Sequence, residues 1–135
     1  MIDHGSDVNS LTKTFETPLQ LAAANNENIA VIKALLTAGA EANQPSTPLH
    51  HAAAHNPSVY HIDFFLHEGF NINCKDLNGW SPLMCAAARN KNTFLIEHII
   101  SRGGNISSRD SEGNSLLHLA AKYNSNSDVI EFFLT

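Results

Sequence analysis

Thr47-Pro48-Leu49-His50-His51-Ala52-Ala53 decides the fold. Thr47 is a residue of the type that caps helix N-termini, its hydroxyl accepting from a free first-turn N–H. Pro48 follows at the first helical position, where the missing N–H costs nothing. The Ala52-Ala53 pair leaves one helix face thin enough for a neighbouring helix to approach closely. The same pattern recurs at Thr17-Pro18-Leu19-Gln20-Leu21-Ala22-Ala23, Ser81-Pro82-Leu83-Met84-Cys85-Ala86-Ala87 and Ser115-Leu116-Leu117-His118-Leu119-Ala120-Ala121, at steps of 30, 34 and 34 residues. Leu116 replaces proline in the last copy, a change that position tolerates.

A second helix is predicted after each of these. Its apolar residues are Ile29, Ile32, Leu35 and Leu36 in one copy, and Val59, Ile62, Phe65 and Leu66 in the next. Leu95, Ile96, Ile99 and Ile100 follow, then Val129, Ile130, Phe133 and Leu134. That spacing gives each helix one apolar face. Gly39, Gly69 and Gly103 close three of them, and Gly5 is in phase. A glycine there supplies the left-handed conformation that ends a helix. A helix pair this short cannot cover its own apolar face, so successive pairs must stack.

The opening Thr-Pro-Leu-His, the Ala-Ala pair and the ending Leu35-Leu36-Thr37-Ala38-Gly39-Ala40-Glu41-Ala42-Asn43 resemble the ankyrin repeat. Asp76-Leu77-Asn78-Gly79-Trp80 and Asp110-Ser111-Glu112-Gly113-Asn114 resemble its turn into the next repeat. The resemblance implies an all-α solenoid of stacked helix–turn–helix repeats with short β-hairpin-like fingers. It divides the chain into the end of a preceding repeat (1–10), a repeat (11–43), a shortened repeat (44–73), a further repeat (74–107) and a truncated one (108–135). Neither end carries the polar capping repeat a solenoid needs. A fragment of a longer protein is therefore expected, with Met1 an introduced start. The missing residues of the short repeat fall between Asn43 and Thr47, so a missing or stunted finger is expected at Gln44-Pro45-Ser46, with a gap beside it. Pro57 is expected to start a second helix.

Composition bounds the function. Hydrophobic residues make up 43% and charged residues 16%, the balance of a folded chain. The net charge of −5 argues against a general nucleic-acid binder, which needs a basic face. Apolar runs fall far short of the roughly 20 residues of a membrane span. Cys74 and Cys85 are too few for a disulfide framework, and a reducing cytosolic compartment fits them. No nucleophile elbow, P-loop or dinucleotide fingerprint is present, so no catalytic residue is assigned and no cofactor is expected. His51 and His55 stand four apart on one helix, but no third ligand accompanies them, and no metal is assigned. The resemblance gives His50 and His118 a structural role between repeats.

The resemblance also places partner binding on a concave face made from the fingers and the exposed side of each first helix. The partner-binding candidates are Trp80, Arg89, Tyr123, Lys122, Leu77, Asn78, His55, Asn114 and Glu112. Ala24, Ala54 and Ala88 map to the same face. Trp80, the only tryptophan, heads the set, because Trp, Tyr and Arg dominate interface hot spots. Trp80, Arg89, Tyr123 and Lys122 are expected to cluster across two repeats. Asn9 and Asn43 stand in segments that resemble ankyrin substrates of asparaginyl hydroxylation; the alternative is that such side chains bond local backbone in the turn. The expected function is a monomeric, cytoplasmic protein-binding module. The competing expectation is a targeting or recruiting segment of a larger enzyme or bacterial effector. The runs Asn25-Asn26-Glu27-Asn28 and Asn124-Ser125-Asn126 are of a composition common in AT-rich genomes, intracellular bacteria among them.

Overall fold

A computed structural model describes residues 6–42 and 46–135. Gly5, Asn43, Gln44 and Pro45 lie outside the described residues. Eight helices follow in pairs: α1 (Pro18–Asn25) and α2 (Ile29–Thr37), α3 (Pro48–His55) and α4 (Val59–His67), α5 (Pro82–Arg89) and α6 (Thr93–Ser101), α7 (Leu116–Tyr123) and α8 (Ser127–Leu134). The first helices α1, α3, α5 and α7 pack in sequence as an inner row, and the second helices line up outside it.

Each first helix starts where its cap dictates. Thr17, Thr47, Ser81 and Ser115 hydroxyls accept from the N–H groups of Gln20 (3.1 Å), His50 (3.3 Å), Met84 (3.2 Å) and His118 (3.3 Å). Gln20, His50 and His118 return the bond to the cap's own N–H, completing capping boxes. Asn28, Asn92 and Asn126 cap three of the second helices. Pro57 does not start α4: it precedes the cap residue Ser58, and its carbonyl accepts from Asn92 Nδ2 at 3.2 Å. Gly39, Gly69 and Gly103 end α2, α4 and α6 with φ of 95°, 98° and 98°.

The alanine pairs let the inner row close. Ala52, Ala53, Ala86 and Ala87 are fully buried, whereas Ala121, with no helix packed beyond it, is exposed. Ile32, Ile62 and Ile96 occupy one register position, and all three are fully buried. Their counterpart Ile130 in the last pair is only half-buried. Coverage thus comes from the neighbour, as a linear stack requires.

A ladder of asparagines closes the inner row at its other end. Asn90 Nδ2 donates to the carbonyls of Ala53 (2.9 Å) and Asn56 (3.0 Å) in the preceding repeat. Asn56 does the same to Ala23 and Asn26, and Asn124 to Ala87 and Asn90. Each also turns its own loop by accepting from the N–H two residues on. These bonds satisfy carbonyls that a helix C-terminus otherwise leaves unpaired. Beside this ladder, His61 is buried within α4 and donates from Nε2 to the Asn26 carbonyl at 2.7 Å.

The fingers contain no strand among the described residues. Each is a tight turn closed by a backbone bond: Thr12 N–H to the Glu16 carbonyl (3.0 Å), Asp76 to Trp80 (2.9 Å) and Asp110 to Asn114 (3.1 Å). One backbone bond, Ser111 N–H to Asn78 O at 3.2 Å, links the last two. Gly79 and Gly113 take positive φ in their turns, and in the first turn that position is Phe15, with φ of 65° and a largely exposed ring.

Two outcomes follow. Asn90→Ala should destabilise the chain by about 3 kcal/mol, because it strands two buried carbonyls. Asn26→Ala, whose side chain bonds no preceding repeat among the described residues, should cost about 1 kcal/mol; equal losses in urea unfolding would refute the ladder's role. Phe15→Gly should stabilise by about 1 kcal/mol, since glycine relieves the left-handed strain; a lower unfolding midpoint would contradict that.

Candidate functional site: a tryptophan–arginine–tyrosine cluster between fingers and first helices

The cluster is assembled by register. Arg89 and Tyr123 are the last residues of α5 and α7, where α1 and α3 carry Asn25 and His55. Trp80 is presented by the finger that enters α5. That finger is fixed by Asp76, whose Oδ1 accepts from the N–H groups of Asn78 (2.9 Å) and Trp80 (3.0 Å). Asp110 repeats the arrangement in the next finger with Glu112 and Asn114. Its other oxygen, Oδ2, accepts from Trp80 Nε1 at 3.0 Å. Slight burial opposes its charge, but the donors from Asn114, Glu112 and Trp80 prevail and hold the Asp110 carboxyl below its ordinary range.

Trp80 and Tyr123 meet edge to face with centroids 5.8 Å apart. The Arg89 guanidinium lies 5.7 Å from the Trp80 ring centroid and 5.4 Å from that of Tyr123. Lys122 Nζ stands 5.1 Å from the Tyr123 ring. All four distances and contacts are within the range of aromatic and cation–π attraction. Trp80 is half-buried, and Arg89, Lys122 and Tyr123 are exposed.

Two hollows flank this cluster. One, of about 250 Å³, is lined by His50, His51, His55, Asp76, Arg89 and Ser46 together with both rings. The other, of about 230 Å³, is lined by Leu77, Asn78, Glu112, Asn114 and both rings. The structure therefore brings together eight of the nine expected partner-binding residues on the walls of two adjoining hollows, with Lys122 beside Tyr123. Asn114 differs from the expectation in one respect: its side chain is engaged, donating from Nδ2 to Asp110 Oδ2 at 3.0 Å. Ala24, Ala54 and Ala88 are buried, and Ala54 lines the first hollow.

The role between repeats expected of His50 is met, whereas the Ser46–His51 contact and the turn-forming carboxylates of Asp76 and Asp110 were not anticipated. His50 donates from Nε2 to the Trp80 carbonyl at 2.8 Å, tying the finger to the preceding repeat. Its Nδ1 accepts from the Thr47 hydroxyl at 2.8 Å. His51 Nε2 lies 3.2 Å from Ser46 Oγ. Asp76 and Asp110 recur 34 residues apart ahead of the turn glycines, a signal that identifies them as the turn-formers. Burial pushes the His50, His51 and His55 imidazoles below their ordinary pKa, and Arg89 adds to the effect on His55. Burial pushes the Cys85 thiol strongly up, which keeps it protonated and unreactive.

Asn9 bonds across repeats and not only within its own turn. Its Nδ2 donates to the Gly39 carbonyl at 3.4 Å, and its Oδ1 accepts from Glu41 N–H at 2.8 Å. Asn73 makes the equivalent bonds to Gly103 and Asn105. Asn43 lies outside the described residues. No group of three or more His, Cys, Asp or Glu side chains converges as metal ligands among the described residues, and no helix among them is long and apolar enough to cross a membrane.

The fold and this face define a class of repeat scaffold, and comparison with known proteins names it. A family model described as "Ankyrin repeats (3 copies)" matches residues 1–76 and 53–135. The chain belongs to the ankyrin repeat family. It is also similar to SH3 and multiple ankyrin repeat domains protein 2 of Homo sapiens, 31% identical over an alignment of 118 residues that covers 59% of this chain and 6% of that relative. The chain thus spans a small part of the curated relative it matches. Ankyrin repeats are protein–protein interaction modules.

The histidines set an acid limit on stability. His50 is neutral when folded, because its Nδ1 must accept from Thr47. On unfolding the imidazole regains its ordinary affinity for protons, so below about pH 6.5 the unfolded chain binds more protons than the folded one. Stability is then lost as pH falls through that range. Gln20 fills the same position in the first repeat, accepting from Thr17 N–H and donating to the Ser46 carbonyl. His50→Gln should therefore fold and lose less stability between about pH 7 and 5. Thermal melts across that range check it; an unchanged acid dependence would contradict the assignment.

Proposed function

We propose that the chain holds a partner protein on its concave face, with Trp80, Arg89 and Tyr123 as the anchor. One observation carries this reading: a half-buried tryptophan, an exposed tyrosine and an arginine packed over both rings stand between two hollows on the concave side. Residues of these types combine large contact area with directed polar groups, and they carry most of the binding energy at interfaces. Leu77, 83% exposed at the finger tip, adds apolar area beside them, and Asn78, Glu112 and His55 supply a polar rim. The net charge of −5 supports a protein and not a nucleic acid as the occupant. Cys74 and Cys85 both stand as free thiols, which supports a reducing, cytoplasmic setting, and the chain acts there as a monomer.

A second reading makes this chain the recruiting segment of a larger multidomain enzyme or effector. The 6% coverage of a relative whose name joins SH3 and ankyrin repeat domains supports it. Both readings use the same concave face.

Trp80→Ala combined with Arg89→Ala should weaken capture of the natural partner by at least ~2 kcal/mol. Quantitative pull-downs with the wild type and the double variant, with circular dichroism to confirm folding, check it. Arg89→Ala alone leaves the Trp80–Asp110 bond in place and should give a smaller loss. A folded double variant that binds undiminished would refute the location.

A further inference from the structure

The Arg89 guanidinium makes no hydrogen bond and no ion pair among the described residues, although it is held in place. Its central carbon lies over both rings, 5.7 Å from the Trp80 centroid and 5.4 Å from that of Tyr123. A cation–π contact of this kind holds the charge without using the N–H groups as donors to a carboxylate. Asp110 is engaged by Trp80 and the Glu112–Asn114 turn, and Asp76 gives Oδ1 to two backbone N–H groups; neither forms an ion pair with Arg89 among the described residues. By contrast Arg102 is paired with Asp63 at 2.9 Å, and Arg109 donates to the Gly113 carbonyl at 2.9 Å. Arg89 lines the hollow of about 250 Å³ together with His51 and His55. That volume suits one side chain and not a folded surface.

We propose that this hollow takes a carboxylate from an extended segment of the partner protein, with Arg89 as its bidentate anchor. The inference rests on the concave-face reading and names the chemistry of its occupant. Planar carboxylate matches the guanidinium fork, and arginine pre-held by two rings gives up little freedom on binding. A singly charged group is favoured over a doubly charged phosphate, because Asp76 also borders the hollow and repels the larger charge. The carboxylate belongs either to an acidic side chain or to the partner's chain terminus, and the two share this chemistry.

The test is nuclear magnetic resonance titration of the isotope-labelled chain. The probes are N-acetyl-glutamate α-amide (a side-chain carboxylate), N-acetyl-glycine (a terminal one), N-acetyl-glutamine α-amide and inorganic phosphate. Either carboxylate probe should shift the Trp80 indole and Arg89 Nε signals saturably, and the tighter of the two names the source. The uncharged amide should leave both signals unmoved. Arg89→Gln should weaken carboxylate binding about tenfold or more, and Arg89→Lys by less, since it keeps the charge and loses the fork. No saturable shift, equal shifts with the amide, tighter binding of phosphate, or undiminished binding to folded Arg89→Gln would each overturn the inference. If partner capture were still lost in the Trp80→Ala, Arg89→Ala chain, only the carboxylate assignment would fall.

Discussion

The first helices α1, α3 and α5 end in carbonyls that their own pairs cannot satisfy, and the asparagine of the following repeat satisfies them. Asn56, Asn90 and Asn124 each reach back to two such carbonyls while turning their own loop. A buried carbonyl left unpaired costs about 1–3 kcal/mol, so the bond is obligatory once alanine packing has driven water from the inner row. Hydrophobic cover and polar satisfaction are therefore supplied by the same neighbour, and a helix pair lacks both when alone. The full burial of Ile32, Ile62 and Ile96 beside the half-burial of Ile130 is the visible result.

The Trp80 cluster inherits its geometry from that coupling. Trp80 is held from the preceding repeat by His50 through its carbonyl, and from the following repeat by Asp110 through its indole. Arg89 and Tyr123 occupy equivalent positions on successive first helices, so the stack sets the distance between them. Three repeats thus position a cluster in which no side chain is fixed by its own repeat alone. Such pre-organisation lowers the ordering cost that binding otherwise incurs.

Much of this was legible in the residues. The caps Thr17, Thr47, Ser81 and Ser115 and the glycines Gly39, Gly69 and Gly103 act through local physics, so their roles follow from type and spacing. The cluster around Trp80 was legible because register fixes which residues of neighbouring repeats adjoin. What escaped depends on partners distant in sequence. Asn26, Asn56, Asn90 and Asn124 recur at the same steps as the caps, yet Asn26 and Asn124 read as composition and Asn56 and Asn90 went unread, because an asparagine announces no carbonyl 34 residues away. Asn9 read as a local turn-former for the same reason. Ala24, Ala54 and Ala88 are more buried than that mapping implied, because a helix turns them by a large angle from the exposed residues that follow, His55 and Arg89 among them. Phe15 at a glycine position was visible only once the turns were aligned by their backbone bonds.

Native-state hydrogen exchange of the intact chain tests the central claim, that repeats are stable only through their neighbours. The account predicts that amides of α3 and α5, each flanked on both sides, exchange solely through global opening and share one free energy. Amides of α7 and α8 should open earlier, through fraying of the outermost pair. Protection that is the same in all four helix pairs, or that is lost independently pair by pair, would contradict it.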